Sequence, residues 1–209
     1  GAAYGSAGER CMALSVAVAV GDEVADLLVQ KLSKSMKNLK FGAYTDSTND
    51  FGPVITKQHQ QSVINHISSA EKQGANIVVD GRDAIVSGYE NGFYVGGTLI
   101  DKVTPQMDSY KAEIFGPVLQ IVRVATMKDA MSLIDNHEYG NGTCIFTRDG
   151  EAARYFSDHI KVGMVGVNIP LPVPVAYHSF GGWKRSLFGD LHAYGPDSIS
   201  CLLYTSDAA

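Results

Sequence analysis

Apolar, β-branched runs alternate along this chain with stretches whose apolar residues recur every three or four positions. That alternation confines it to a layered α/β fold. Residues 12–20 are uncharged and rich in valine, so their second half predicts a buried strand. Residues 22–38 follow with Val24, Leu27, Leu28, Leu32 and Met36 at helical spacing, and Asp22 stands where an N-cap would accept the first free amides. After a polar, turn-rich loop over 42–53, a second helix is expected over about 57–73, stopped by Gly74, leading into a short strand at Asn76–Val79. Further strands are expected at 93–99, Val118–Val124, 143–146 and 162–167, with helices at Met127–Asn136 and Gly150–His159 separating the last three. The implied architecture is helix/sheet/helix with a mostly parallel sheet and right-handed crossovers.

Size and composition exclude several functions. A chain of 209 residues holds one large domain or two small ones and can bury a sizeable core. A formal charge of −5 leaves no basic stripe to neutralise phosphates, which argues against a nucleic-acid partner. The longest uncharged apolar run, 12–20, is far short of the roughly twenty residues of a membrane helix, so no membrane partner is expected. No leader pattern opens the sequence, and three widely spaced cysteines make no disulfide framework, which fits a reducing cytoplasm. The six histidines show no metal spacing: His59 and His66 are seven apart, and each is read as solvated or structurally hydrogen-bonded, so no metal is expected. Residues 200–209 continue no earlier pattern and read as a non-native tail, Cys201 included.

Five residues carry possible chemistry. Cys11 is either a small core residue or a nucleophile. As a nucleophile it would benefit from a helix amino-terminus, which lowers a thiol pKa and offers backbone amides to a developing oxyanion. Its neighbour Arg10 is either a surface ion-pair partner or a bidentate grip for a substrate carboxylate. Glu113 and Phe115 are two apart, so in extended backbone a carboxylate and a ring project to one side, where they suit a ribose and a flat heterocycle. Asn168 ends the strand-like Val162-Gly-Met-Val-Gly-Val-Asn168 and opens Ile169-Pro-Leu-Pro-Val-Pro174, whose alternate prolines impose a stiff extended loop. Cys144 sits in a strand-like run and is expected in the core, and no Gly-x-Gly-x-x-Gly run precedes a helix.

The stretch Gly8-Glu-Arg-Cys-Met-Ala13 is similar to the Gly-Gln-x-Cys-x-Ala nucleophile motif of aldehyde dehydrogenases. Glu113-Ile-Phe-Gly-Pro117 resembles that family's cofactor loop, and Phe180-Gly-Gly-Trp-Lys-Arg-Ser186 its Phe-Gly-Gly-x-Lys-x-Ser signature, although Leu187 replaces the usual next glycine. With Tyr139–Arg148 and Asn168–Pro174, the likeness covers nearly everything from Gly1 to about Ile199. It points to the CoA-acylating branch that acts on methylmalonate and malonate semialdehydes. The resemblance implies Cys11 as nucleophile, Arg10 and Asn168 as substrate contacts, and Glu113 and Phe115 as NAD contacts. It further implies coenzyme A as acyl acceptor, and a parent enzyme that is a homotetramer or homodimer. A family dinucleotide-binding domain would lie upstream of Gly1, so residues 1–199 are expected to be a catalytic portion, inactive alone and exposing apolar surface. A hydrolytic NAD(P)-dependent aldehyde dehydrogenase shares Cys11 and Glu113. A cysteine hydrolase or a non-catalytic α/β domain would also accommodate a lone cysteine in an α/β chain.

Overall fold

Residues 1–175, 177–178, 181–189 and 191–206 are described by the structure, a computed structural model, with side chains as far as 203. Ser179, Phe180 and Asp190 of the glycine-rich run, and residues 207–209 of the expected tail, lie outside the described residues. The chain divides into two compact units, Gly1–Ala130 and Met131–Ala209.

In the first unit a four-stranded sheet has β1 (Val16–Val20), β2 (Asn76–Val79), β3 (Thr98–Asp101) and β4 (Val118–Val124) in the order β1-β4-β3-β2. β1 runs parallel to β4, with Val16 opposite Gln120 and Val20 opposite Val124, and β4 runs parallel to β3. β2 alone is antiparallel, joining β3 through a bulge between Ile77 and Val79. The mostly parallel α/β sheet expected from the alternation is present. β3 is buried along its whole length, as a strand covered on both faces must be.

Helix α1 (Asp22–Met36) buries Ala25 and Met36 and packs Leu28, Val29 and Leu32 partly against the core. Two details differ from the sequence expectation. Gly21, not Asp22, is the N-cap: with φ 89° it makes the sharp turn out of β1 while its amide still bonds the Val124 carbonyl at 2.8 Å. In the helix that follows, Val24 and Leu27, expected on the core-facing stripe, face outward, 55% and 48% exposed. Helix α2 (Lys57–Lys72) starts at Thr56, whose hydroxyl accepts the His59 amide. It ends in a Schellman motif, with Gly74 at φ 99°, Gly74 N donating to Glu71 O and Ala75 N to Ala70 O, both at 3.0 Å. Val63 and Ile67 on its inner face are fully buried, worth about 1.5–3 kcal/mol each.

The strand expected over 93–99 begins only at Thr98. Gly96 N donates to Gly81 O at 2.8 Å, and a Cβ on Gly81 would lie 2.0 Å from the Gly96 oxygen. Two backbones cross there at a distance only glycine permits, so residues 93–97 belong to the crossing and not to the ladder.

A short helix α3 (Asp108–Lys111) lies between β3 and β4, and α4 (Met127–Asn136) carries the boundary between the units. The second unit has two small ladders. β5 (Tyr139–Gly140) pairs antiparallel with β8 (Trp183–Lys184), and β6 (Gly142–Ile145) pairs parallel with β7 (Met164–Val167). Between β6 and β7 lies α5 (Gly150–His159), capped by Asp149 through the amides of Glu151 and Ala152. Lys184, in the glycine-rich run, donates its amine to the Ile134 and Asp135 carbonyls at the end of α4, and burial lowers its pKa. Ser186 accepts the Gly140 amide. A last helix, α6 (Ser198–Ser206), runs through the point where the tail was expected to begin, and Cys201 is buried on it.

Candidate active site

Cys11 sits in a turn, closed by Ala13 N donating to Arg10 O at 3.1 Å, and its side chain is exposed. No helix starts there, so the helix amino-terminus expected beside the thiol is not what holds it. The preceding residues explain the difference. Ser6, Ala7 and Gly8 all have positive φ (55°, 55° and 72°), a left-handed turn that reverses the chain before the cysteine. The turn is anchored from below. Ala3, Tyr4 and Ala7 are buried in the core, and the Tyr4 hydroxyl donates to the Thr98 carbonyl at 3.0 Å, with the Met36 sulfur 3.3 Å away. Burial pushes the Tyr4 phenol well above its ordinary value, so it remains a neutral donor.

The second loop arrives from β4's side. Glu113 and Phe115 are exposed and Ile114 between them is buried, so the carboxylate and the ring emerge on the same side. Phe115 reaches this arrangement with φ 52°, left-handed and not extended as expected. The two loops meet backbone to backbone: a Cβ on Gly8 would lie 2.0 Å from the Gly116 oxygen. Gly116 in turn faces Val63 of α2, whose methyl would be 2.7 Å from an added Cβ. A narrow cleft of about 50 Å³ results, lined by Arg10, Cys11, Ser15, Glu113, Phe115 and Gln120 among others. Four of the five expected site residues therefore share one cleft.

Arg10 is exposed, its Nε donating to Ser6 Oγ at 3.0 Å and its guanidinium lying against Gly5. The terminal nitrogens carry the remaining donors of the fork, the part that grips a carboxylate. Asn168 belongs to the second unit. It is left-handed (φ 57°), and its carboxamide donates to Thr147 O and accepts Thr147 N, both at 3.0 Å. It therefore closes the end of β7 over β6, and each amide atom keeps one further hydrogen-bonding position.

A pair of residues behind the cleft is not legible in the sequence. His59, expected to be a solvated or structural histidine, has Nε2 2.7 Å from the Phe115 carbonyl and 3.5 Å from Glu9 Oε1. The available signal was the Thr56-x-x-His59 spacing, which puts His59 at a fixed place on a capped first turn. Cys144 is partly buried, and burial raises its thiol pKa, as a core residue requires. A larger cavity of about 230 Å³, lined by Met36, Leu39, Phe41 and Val79 with Asp80 and Asp83, shares no residue with the cysteine cleft. Among the described residues no cluster of histidine, cysteine and carboxylates could hold a metal ion.

A thiol, a guanidinium, a carboxylate and an aromatic ring around one cleft are the groups of a thiol-dependent dehydrogenase. The model of the aldehyde dehydrogenase family matches residues 1–207, and the chain belongs to that family. It is 67% identical over 199 residues to a malonate-semialdehyde dehydrogenase of Pseudomonas aeruginosa, covering 95% of this chain and 40% of the relative. Among solved structures it is similar to a methylmalonate-semialdehyde dehydrogenase from Oceanimonas doudoroffii, at 77% identity and a TM-score of 0.93 over 95% of this chain and 41% of that one. A Sinorhizobium meliloti 1021 protein, described as a methylmalonate-semialdehyde dehydrogenase and complexed with NAD, is 59% identical with a TM-score of 0.93, over 96% of this chain and 41% of that one. The chain thus spans about 40% of the length of the relatives it matches.

Proposed function

We propose that this chain carries the nucleophile and the ribose-binding loop of an NAD-dependent, CoA-acylating dehydrogenase acting on methylmalonate or malonate semialdehyde. The observation that carries the reading is the convergence of Cys11, Arg10, Glu113 and Phe115 on one cleft. Relatives named for these semialdehydes support the substrate class.

The Cys11 thiolate adds to the aldehyde carbon, forming the C–S bond of a thiohemiacetal whose oxygen takes the negative charge. Arg10, one residue away, holds the substrate's carboxylate through its terminal N–H groups and fixes which face of the carbonyl meets the sulfur. Glu113 and Phe115 fit a nicotinamide nucleotide: the exposed carboxylate accepts ribose hydroxyls and the exposed ring packs against the heterocycle. NAD, when bound, supplies the hydride acceptor that turns the thiohemiacetal into a thioester on Cys11. The bond between the α-carbon and the substrate carboxylate then breaks, carbon dioxide leaves (as bicarbonate once hydrated), and the electron pair left on the α-carbon, delocalised into the thioester, takes up a proton. The thiolate of coenzyme A attacks the acyl carbon, releasing Cys11 as thiolate and acetyl- or propionyl-CoA as product. Asn168 acts in substrate binding by setting the left-handed turn that opens the proline-rich loop. The parent enzyme is a cytoplasmic homodimer or homotetramer. Among the described residues no helix is long and apolar enough to cross a membrane.

The test is the complete enzyme that contains this sequence, given each semialdehyde with NAD and with or without CoA. NADH formation that requires CoA, yields acetyl- or propionyl-CoA and disappears in Cys11→Ser supports the proposal. NADH with a free acid, indifferent to CoA, moves the protein to hydrolytic aldehyde oxidation. No NADH with either substrate refutes the semialdehyde reading.

A further inference from the structure

Behind the cleft the nucleophile loop and the cofactor loop are joined by one side chain from a third element. The Glu9 carboxylate, two residues before Cys11, is only 11% exposed and sits 3.4 Å from the Ile55 amide and 3.5 Å from His59 Nε2. The same Nε2 is 2.7 Å from the carbonyl of Phe115. Both neighbours are acceptors, so Nε2 carries the proton and donates to the Phe115 oxygen. The His59 backbone is itself held, its amide donating to the Thr56 hydroxyl at 3.1 Å. The carbonyl it grips belongs to a left-handed, non-glycine residue, a conformation that persists only where neighbours enforce it.

We infer that His59 is a positioning residue: it holds Phe115 in its left-handed conformation and ties that loop to Glu9, so that the spacing between Cys11 and the Glu113/Phe115 surface is set from α2. The role rests on the proposed dehydrogenase function, in which a hydride must cross that spacing. Displacement by even an ångström between the two loops is costly for such a transfer.

Amide hydrogen exchange on the 209-residue chain tests the tether without using the chemistry. His59→Ala is expected to accelerate exchange in residues 9–13 and 114–116 together, by about three- to tenfold, the factor for one lost hydrogen bond. Amides of β1 and β4 should keep their rates. His59→Gln, which restores an N–H donor at similar reach, should return both loops toward the parent rates. If the alanine chain does not fold, Glu9→Ala carries the test, loosening 9–13 and, through His59, 114–116. Acceleration confined to one loop, confined to the first turn of α2, or spread over the sheet overturns the inference. Coupled exchange in a protein that fails the CoA-dependent assay would keep the tether and remove the reaction. Uncoupled exchange in an active enzyme would do the reverse.

Discussion

Replacing Gly8 by alanine perturbs the meeting point of the two site loops, and the structure supplies an internal control in Gly74. Both glycines have positive φ, 72° and 99°, so each alanine carries the left-handed penalty of about 1–2 kcal/mol. Only Gly8 is also crowded. Its Cβ would lie 2.0 Å from the Gly116 oxygen, and side-chain carbons do not approach within 3.0 Å, so the carbonyl must retreat by at least 3.0 − 2.0 = 1.0 Å. Gly116 cannot retreat freely, because Val63 fills the space beside it. Overpacking of this kind costs about 1–3 kcal/mol, giving about 2–5 kcal/mol for Gly8→Ala against about 1–2 for Gly74→Ala, which meets no atom within 4 Å. The difference corresponds to roughly a five- to 150-fold change in the folding constant of the first unit. The sole tryptophan, Trp183, lies in the second unit, so its fluorescence would miss the event. Exchange of the β4 amides, with urea unfolding followed by circular dichroism, reads it directly. Equal destabilisation by the two alanines would refute the claim that the loops are locked in backbone contact.

Two further outcomes follow from individual side chains. Limited iodoacetamide treatment should label Cys11 before Cys144 in peptide maps. The alkylating species is the thiolate, and a pKa raised by burial leaves Cys144 with less of it at any pH below that value, so its labelling should catch up only as pH rises. Equal rates near neutrality would contradict this. Arg123→Ala should destabilise the first unit by about 3–5 kcal/mol in urea unfolding, because it strands Asp101, whose side chain is 3% exposed and held by Arg123 at 3.0 and 2.7 Å. The pair Arg123→Met with Asp101→Leu should recover most of that loss, and a single-variant cost below about 1 kcal/mol would sink the argument.

Where the sequence alone was sufficient, one local pattern decided the outcome. The strand Val118–Val124 and the helices Met127–Asn136 and Gly150–His159 have the expected bounds, each carrying a clean period and a clear stop. The end of α2 was legible because Gly74 makes a C-terminal motif that depends on neighbours in sequence only. The misses come from long-range contacts. Residues 93–97 look like a strand until Gly81 crosses them. Asp22 looks like a cap until β1 demands a glycine turn one residue earlier. The residues around Cys11 take a left-handed turn set by Gly116, far along the chain. His59 is hydrogen-bonded, as one of its two expected roles required, but nothing in its own segment announces Glu9 or the Phe115 carbonyl as the groups it meets. Chemistry and motifs singled out the four residues that share the cleft, but the way they are held was not legible.

The parallel pairing of β1 with β4 bears on how the chain acquires its structure. Gly8 finds Gly116, and Val16 finds Gln120, across roughly a hundred residues, and none of these contacts repays the entropy of closing so long a loop until the others form. At synthesis rates of about 5–20 residues per second, that separation alone amounts to about 5–20 seconds between the emergence of Cys11 and that of its partner loop. For that interval the thiol has no cleft around it, so oxidation and mispairing compete with folding over time rather than over equilibrium.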